Sequence, residues 1–287
     1  MNEILLRRMI ESDLPAADEL RRLAGWNQTP DDWRALLELE PHGCFVALKG
    51  AELVGTVTTT TYGRALAWIG MMLVHPEHRR QGIAARLMDQ ALEYLCGRNI
   101  PSVGLDATPA GLPLYEKLGF VAEWTFTRWQ RAADAEQVSA RSNVSEVREP
   151  GESDWPALVE LDAATFGVPR PQLIKSLARR SLAALVWPAQ GQPVGWGLLR
   201  PGANAHYLAP LTCMQPEGAL SLVEPLLGRA FGSSVFWDIP DQNRVAKGAA
   251  ERFGFTRVRP LTRMRLGPGS TSTDAGAQFA IADPAVG

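Results

Sequence analysis

The residues from Leu73 to Leu87, LVHPEHRRQGIAARL, set two adjacent arginines, a glutamine and a glycine between a strand-like run and a helical one. Ala67 to Val74 has the apolar content of a strand, and Pro76 ends it by withholding a ladder donor. From Ile83 the apolar residues fall at 83, 84, 87, 88, 91, 92 and 95, the spacing of a helix with one buried stripe. Unpaired amides and the positive end of that helix's dipole then converge on Arg79, Arg80, Gln81, Gly82, Ile83 and Ala84, where an anion is the natural occupant. Gly82 and Ala84 leave room for phosphate oxygens, and the two arginines can add charge-assisted hydrogen bonds. A P-loop lysine followed by Ser or Thr is absent, as is the GxGxxG of a dinucleotide turn. A strand-loop-helix whose arginines are merely solvated is the alternative that these positions leave open.

A second group of residues follows. A short strand ends at Asp106, and a brief helix carrying Tyr115 closes on Gly119. Asp106, at the carboxyl end of its strand, can take a proton or pair with a cation, or it can cap the turn before Pro109. Tyr115 is either a core aromatic with a satisfied hydroxyl or a proton donor.

The run Arg79-Arg80-Gln81-Gly82-Ile83-Ala84 resembles the acyl-CoA signature of GNAT acyltransferases, and Leu114-Tyr115-Glu116-Lys117-Leu118-Gly119-Phe120 is similar to that family's second motif. The resemblance implies that residues 79–84 bind the pyrophosphate of acetyl-CoA and that backbone groups of Met72, Leu73 and Val74 pair with its pantetheine amides. It also implies that Tyr115 protonates the departing thiolate while a primary amine of a small molecule or peptide attacks the thioester directly. Thr108 and Gly111 stand where the family usually carries Asn and Ala. A non-catalytic acyl-CoA-binding or regulatory module is the rival reading.

The elements that must position these residues occur twice. ESDLPA at 11–16 returns as ESDWPA at 152–157, displaced by 141, and EKLGF at 116–120 returns as ERFGF at 251–255, displaced by 135. Units this long are duplicated domains rather than solenoid repeats. LVHPE at 73–77 matches CMQPE at 213–217, whereas Ala84 to Leu92 matches Ala219 to Leu227, so five residues are missing at the loop proposed to hold pyrophosphate. Tyr115 becomes Ala250, while Asn243 and Ala246 keep the spacing that the first copy lost. Only the first copy is expected to catalyse.

The expected fold is α+β, two tandem GNAT-like domains, each a mixed and mostly antiparallel sheet flanked by helices. Residues 1–130 form the catalytic domain, 131–143 a small and polar linker, 144–266 the degenerate domain and 267–287 a flexible tail. In domain one, Glu3 to Met9 is a strand, Ser12 and Thr29 cap helices to about Ala24 and Leu39, and a hairpin turns at Gly50-Ala51-Glu52. The acceptor pocket is expected to use Trp26, Asn27, Trp33, Met71 and Phe126, which suit an apolar or aromatic amine.

With 46% hydrophobic residues in 287, each half has material for a core. A net charge of −2 and a pI near 6.1 argue against a nucleic-acid partner. No apolar run approaches a membrane span and charged Glu3, Arg7 and Arg8 interrupt any signal-peptide core, so a cytoplasmic enzyme is expected. Three scattered cysteines and four histidines lack disulfide or metal-ligand spacing, and no metal is expected.

Overall fold

The computed structural model describes residues 3–135, 147–230, 232–269 and 276–287. The amino-terminal half runs β1 (Ile4–Arg8), α1 (Leu14–Leu23), α2 (Pro30–Leu39), β2 (Phe45–Lys49), β3 (Glu52–Tyr62), β4 (Leu66–Val74), α3 (Ile83–Gly97), β5 (Val103–Ala107), α4 (Leu112–Lys117) and β6 (Val121–Arg131). The second half repeats it as α5 (Trp155–Phe166), α6 (Pro171–Arg179), β7 (Ala183–Ala189), β8 (Gln192–Arg200), β9 (His206–Cys213), α7 (Pro216–Gly228), β10 (Val235–Pro240), α8 (Arg244–Arg252) and β11 (Thr256–Leu266). A short β12 (Gln278–Ala280) follows.

The expected α+β architecture is present, and its local rules are visible. Thr29 caps α2, its hydroxyl accepting from the Asp32 amide at 3.3 Å while the Asp32 carboxylate accepts from the Thr29 amide at 2.8 Å. Ser12 does not cap α1. A 3-10 turn over Glu11–Asp13 precedes that helix, and Asp13 accepts from the Ile10 amide and from Arg7. The second ESD phrase does the same, Asp154 accepting from the Gly151 amide and Arg148. The repeated phrase therefore preserves an acid that closes the turn and an arginine that neutralises it.

All the strands join one sheet in the order β1-β2-β3-β4-β5-β11-β6-β10-β9-β8-β7, with β12 paired to β9. The last strands of the halves have changed places: β11 lies against β5, and β6 lies against β10. The two pair antiparallel with each other. Each lobe is completed by the other's chain, so the sequence boundary expected at residue 130 is not a boundary between lobes. Arg131, placed in the linker by composition, ends β6 as a buried residue donating to the Phe253 carbonyl at 3.1 Å. Residues 136–143 of that expected linker lie outside the described residues.

Two buried forks lock the exchange. Arg263 of β11 grips Asp106 of β5 at 2.9 and 2.8 Å, and Arg128 of β6 grips Asp238 of β10 at 2.8 and 2.6 Å. Such bidentate pairs are the form in which arginine and carboxylate tolerate burial. The Arg263 guanidinium also lies over both Trp68 and Trp124, 4.5 and 4.4 Å from their ring centres.

The carboxy-terminal segment departs most from expectation. Rather than a flexible tail, residues 276–287 are packed into the protein, with Phe279, Ile281 and Val286 buried. β9 and β10 pair in parallel only at His206–Val235 and Tyr207–Phe236 and then diverge. β12 fills the opening: it pairs with Leu211 and Thr212 of β9, the Ile281 amide donates to the Asp238 carbonyl and the Trp237 indole to the Phe279 carbonyl. The splayed strands have backbone groups that must find partners, and this segment supplies them. It then crosses to the first lobe, where Tyr62 and Trp68 donate to the carbonyls of Val286 and Pro284. A Cβ added to Gly70 would come within 2.3 Å of the Ala285 carbonyl oxygen. Gly70→Ala is therefore expected to cost about 1–3 kcal/mol by overpacking and to shift Pro284 and Ala285, which urea unfolding and the acceptor KM together would register.

Candidate functional site

In the amino-terminal lobe β4 and β5 pair in parallel at Ala67–Val103, Trp68–Gly104 and Ile69–Leu105 and no further. Among the described residues no strand enters that opening, so β4 from Gly70 to Val74 is unpaired on the β5 side. Within the same stretch Met71 and Met72 together face the single residue Val57, a bulge that holds Met71 at φ +46. A non-glycine residue at positive φ costs about 1–3 kcal/mol. The Thr56 hydroxyl helps to hold it there, donating to the Met71 carbonyl at 2.7 Å. Sequence alone offered no sign of the bulge.

β4 leads through a 3-10 turn at Pro76–His78 into the predicted cradle. Gly82 is the N-cap of α3 at φ +79, and a Cβ there would meet no atom within 4 Å. The first helical bond is from the Arg86 amide to the Gly82 carbonyl, so the amides ahead of it have no helical partner. Arg79 and Arg80 are exposed, and neither has a carboxylate partner among the described residues. Space, donors and positive charge coincide at this loop, the requirements for holding an anion. At the rim, His75, His78 and Glu52 bring their ligand atoms within 4.8 Å of one another, with the Lys49 ammonium 3.5 Å from His78 Nδ1.

The second lobe is different at both places. β12 occupies its strand opening, and the indole of Trp187 lies against Gly218 in the first turn of α7, 2.2 Å from where a Cβ would stand. The missing five residues and the filled wedge thus agree.

Tyr115 is buried on α4, its ring edge-on to Phe120 at 6.1 Å, and its hydroxyl has no hydrogen-bond partner among the described residues. Burial pushes its pKa up to about 12. Gly111, where the family usually carries Ala, lets the ring lie close: a Cβ would be 2.9 Å from Tyr115 Cε2. Thr108 accepts from the Gly111 amide at 3.3 Å, and Asn243 accepts from the Ala246 amide at 2.9 Å. Threonine therefore serves the same turn as asparagine. Asn243 has a structural task besides, donating to the carbonyls of Gly276 and Gln278.

Tyr115 borders a cleft of about 480 Å³, open solvent included, together with Met71, Met72, Thr108, Asp106 and Trp26. Of the five residues expected at the acceptor pocket, Trp26 and Met71 border this cleft. Trp33 and Phe126 are fully buried core residues. Asn27 is also buried, tying the loop before α2 to the second lobe by accepting from the Asn204 and Ala205 amides at 2.9 and 3.0 Å. Their apolar or amide chemistry was satisfied by packing, a role that composition cannot separate from ligand contact. Asp106 borders the cleft, but both of its oxygens accept from Arg263 and its side chain has no solvent exposure. Burial raises its pKa to about 6 against the opposing pull of Arg263. Its geometry is that of a strut between lobes rather than a free base.

Missed by sequence reasoning were the cleft residues from the second half: Arg259 and Leu261 of β11, and Pro284 and Ala285. Strand exchange brings them there, and no local pattern announces it.

Residues 8–120 match the acetyltransferase (GNAT) family, and residues 158–280 match an acetyltransferase (GNAT) domain. The uncharacterized N-acetyltransferase YitH of Bacillus subtilis (strain 168) is 27% identical over 249 residues, covering 82% of this chain and 83% of that protein. A putative acetyltransferase from Pyrococcus horikoshii has the same fold with a TM-score of 0.83 at 24% identity, over 100% of this chain and 97% of that one. A tandem GNAT protein from the clavulanic acid biosynthesis pathway gives 0.67 at 15% identity, over 94% and 100%. Matched in both halves, the chain belongs to the GNAT acetyltransferase family and carries two such domains in tandem.

Proposed function

We propose that this acetyltransferase moves an acetyl group from acetyl-CoA to a primary amine of a small molecule or peptide, by direct attack in a ternary complex formed on the amino-terminal lobe alone. The observation that carries this reading is the continuity of β4. Its Met71 and Met72 border the cleft beside Tyr115, and the same strand leads into the open amides that head α3.

The amides after Gly82, with Arg79 and Arg80, hold the diphosphate. Backbone groups of Met72 to Val74 orient the pantetheine arm and donate to the carbonyl oxygen as it gains charge. Trp26 and Met71 form apolar walls that hold the amine against the thioester. As the new C–N bond forms and the C–S bond breaks, Tyr115 gives its proton to the departing sulfur, and the proton that the nitrogen loses passes through solvent and restores the phenol. Asp106 keeps Arg263, and with it the exchanged strand, in place beneath the cleft. The second half of the chain contributes walls rather than a second reaction centre.

Thiol release from acetyl-CoA in the presence of an amine library, with mass spectrometry of the products, tests the reading. Acetylated product alone would be too general a sign, so weaker transfer at sub-saturating acetyl-CoA in the cradle variant Gly82→Val is the paired control. That substitution puts a β-branched side chain at positive φ and into the diphosphate space. It is expected to raise the acetyl-CoA KM by about tenfold, with a smaller change in kcat. Binding of acetyl-CoA unaffected by Gly82→Val would place the diphosphate elsewhere.

No helix among the described residues is long and apolar enough to cross a membrane. Cytoplasmic residence and the absence of a nucleic-acid partner remain parts of this proposal.

A further inference from the structure

We infer that the acceptor amine carries a carboxylate, which is bound by Arg259 of the exchanged strand β11, from the second half of the chain. The inference rests on the acceptor cleft assigned above and specifies what fills it. Three charged side chains border that cleft: Asp106, Arg128 and Arg259. Asp106 is neutralised by Arg263, and Arg128 by Asp238. Arg259 has no carboxylate, carbonyl or ring partner among the described residues, so the cleft retains one uncompensated positive charge.

The sheet makes this charge costly. Arg259 stands directly across the β11–β6 ladder from Arg128, and like charges in such cross-strand pairs repel. Partial burial and the neighbouring Arg128 both hold the Arg259 pKa below its ordinary value. The register here is also irregular, Val258 being an extra residue between the partners of Trp129 and Arg128. Val258 is an exposed apolar side chain, whereas Arg259 is brought to the cleft. A bulge that turns a cation toward a cavity re-aims a side chain at a ligand. One guanidinium with one unmatched charge suits a singly charged carboxylate better than a dianionic phosphate, and its fork can donate to both carboxylate oxygens.

The rest of the lining fits the same molecule. Leu261, Met71, Trp26 and Pro284 offer apolar contact for its body. Gln28 also borders the cleft. Its Nε2 donates to Asp283 at 2.8 Å, while its Oε1 is buried without a partner and is available to an N–H of the acceptor. The acceptor class is thus an amino acid or a carboxylate-bearing amine with an apolar body.

Two measurements on the full chain test this. In the first, turnover with acetyl-CoA compares matched pairs: phenylalanine with phenethylamine, and 6-aminohexanoate with hexylamine. At least one carboxylate-bearing member is expected to exceed its partner in kcat/KM by about 10- to 100-fold, the scale of one charged hydrogen-bonded contact. Arg259→Gln is expected to erase that preference mainly through KM, and Arg259→Lys to restore part of it. In the second, calorimetry compares binding of 3-phenylpropanoate with that of its neutral amide, 3-phenylpropanamide. Tighter binding of the carboxylate that disappears in Arg259→Gln supports the site even if none of the four amines is acetylated, an outcome that would count against the amine-transfer reading alone. Equal affinity for the two, or a preference that survives Arg259→Gln, overturns the inference.

Discussion

Tyr115→Phe is expected to lower kcat about 10²- to 10⁴-fold while leaving the KM for acetyl-CoA nearly unchanged, the range over which a positioned general acid contributes. The substitution deletes one oxygen and keeps the ring that packs on Phe120, so the local fold has little reason to change. The missing oxygen is the one without a partner among the described residues, which is what a group reserved for a reacting atom requires. Its pKa of about 12 has a consequence in pH. A raised phenol pKa favours the protonated form, so Tyr115 keeps its proton through the whole neutral and mildly alkaline range. The kcat profile is therefore expected to show no loss from Tyr115 ionisation below about pH 11, whatever other groups titrate. A fall in kcat centred near pH 10 that vanishes in Tyr115→Phe would mean that the ring is more hydrated than its surroundings in this structure allow. A kcat unchanged by the substitution would remove the residue from the chemistry.

The sequence disclosed those parts of the site whose physics is local. A strand, a proline, a glycine and a helical stripe are contiguous between Ala67 and Leu95, and they fold as their spacing requires. The duplication was legible for the same reason, because each ESD phrase is its own turn and cap. What escaped was every contact made over distance. Phe126 and Trp33 have the composition of a binding wall and became core, because aromatic side chains serve both purposes by the same burial. The carboxy-terminal residues looked like a solvated end, since Gly, Ser and Thr dominate 267–275. Yet QFAIADPAV, at 278–286, carries enough apolar surface to fill a gap between strands that sequence could not show. Strand exchange is the extreme case. Antiparallel partners with matched burial are interchangeable locally, so nothing within β6 or β11 states which lobe it will join. The fork that holds Asp106 was hidden for this reason: its partner lies 157 residues away.

Removing that partner is expected to be the most destabilising charge change in the molecule's first lobe. Arg263→Met leaves a carboxylate with no solvent exposure and no cation, and breaking a buried pair in this way costs about 3–5 kcal/mol. Methionine keeps part of the volume between Trp68 and Trp124, so the loss reports charge more than cavity. The double variant Asp106→Leu/Arg263→Met should recover much of it, because a buried pair replaced whole by apolar groups often costs little. The pH dependence has a defined sign. Asp106 titrates at about 6 when folded against an ordinary value of 3.8, so its folded form favours the proton. A carboxyl shifted upward contributes stability that is full below its unfolded pKa and is lost as pH rises through the folded one. Without Arg263 the folded pKa moves higher still. Arg263→Met should therefore lose more stability relative to the parent at pH 8 than at pH 5, and the double variant should show no such slope. Denaturant unfolding of the four proteins at both pH values completes the cycle. Additive losses, with no recovery in the double variant, would show that the pair contributes nothing as a pair and that β11 is held against β5 by its backbone ladder and the two indoles alone.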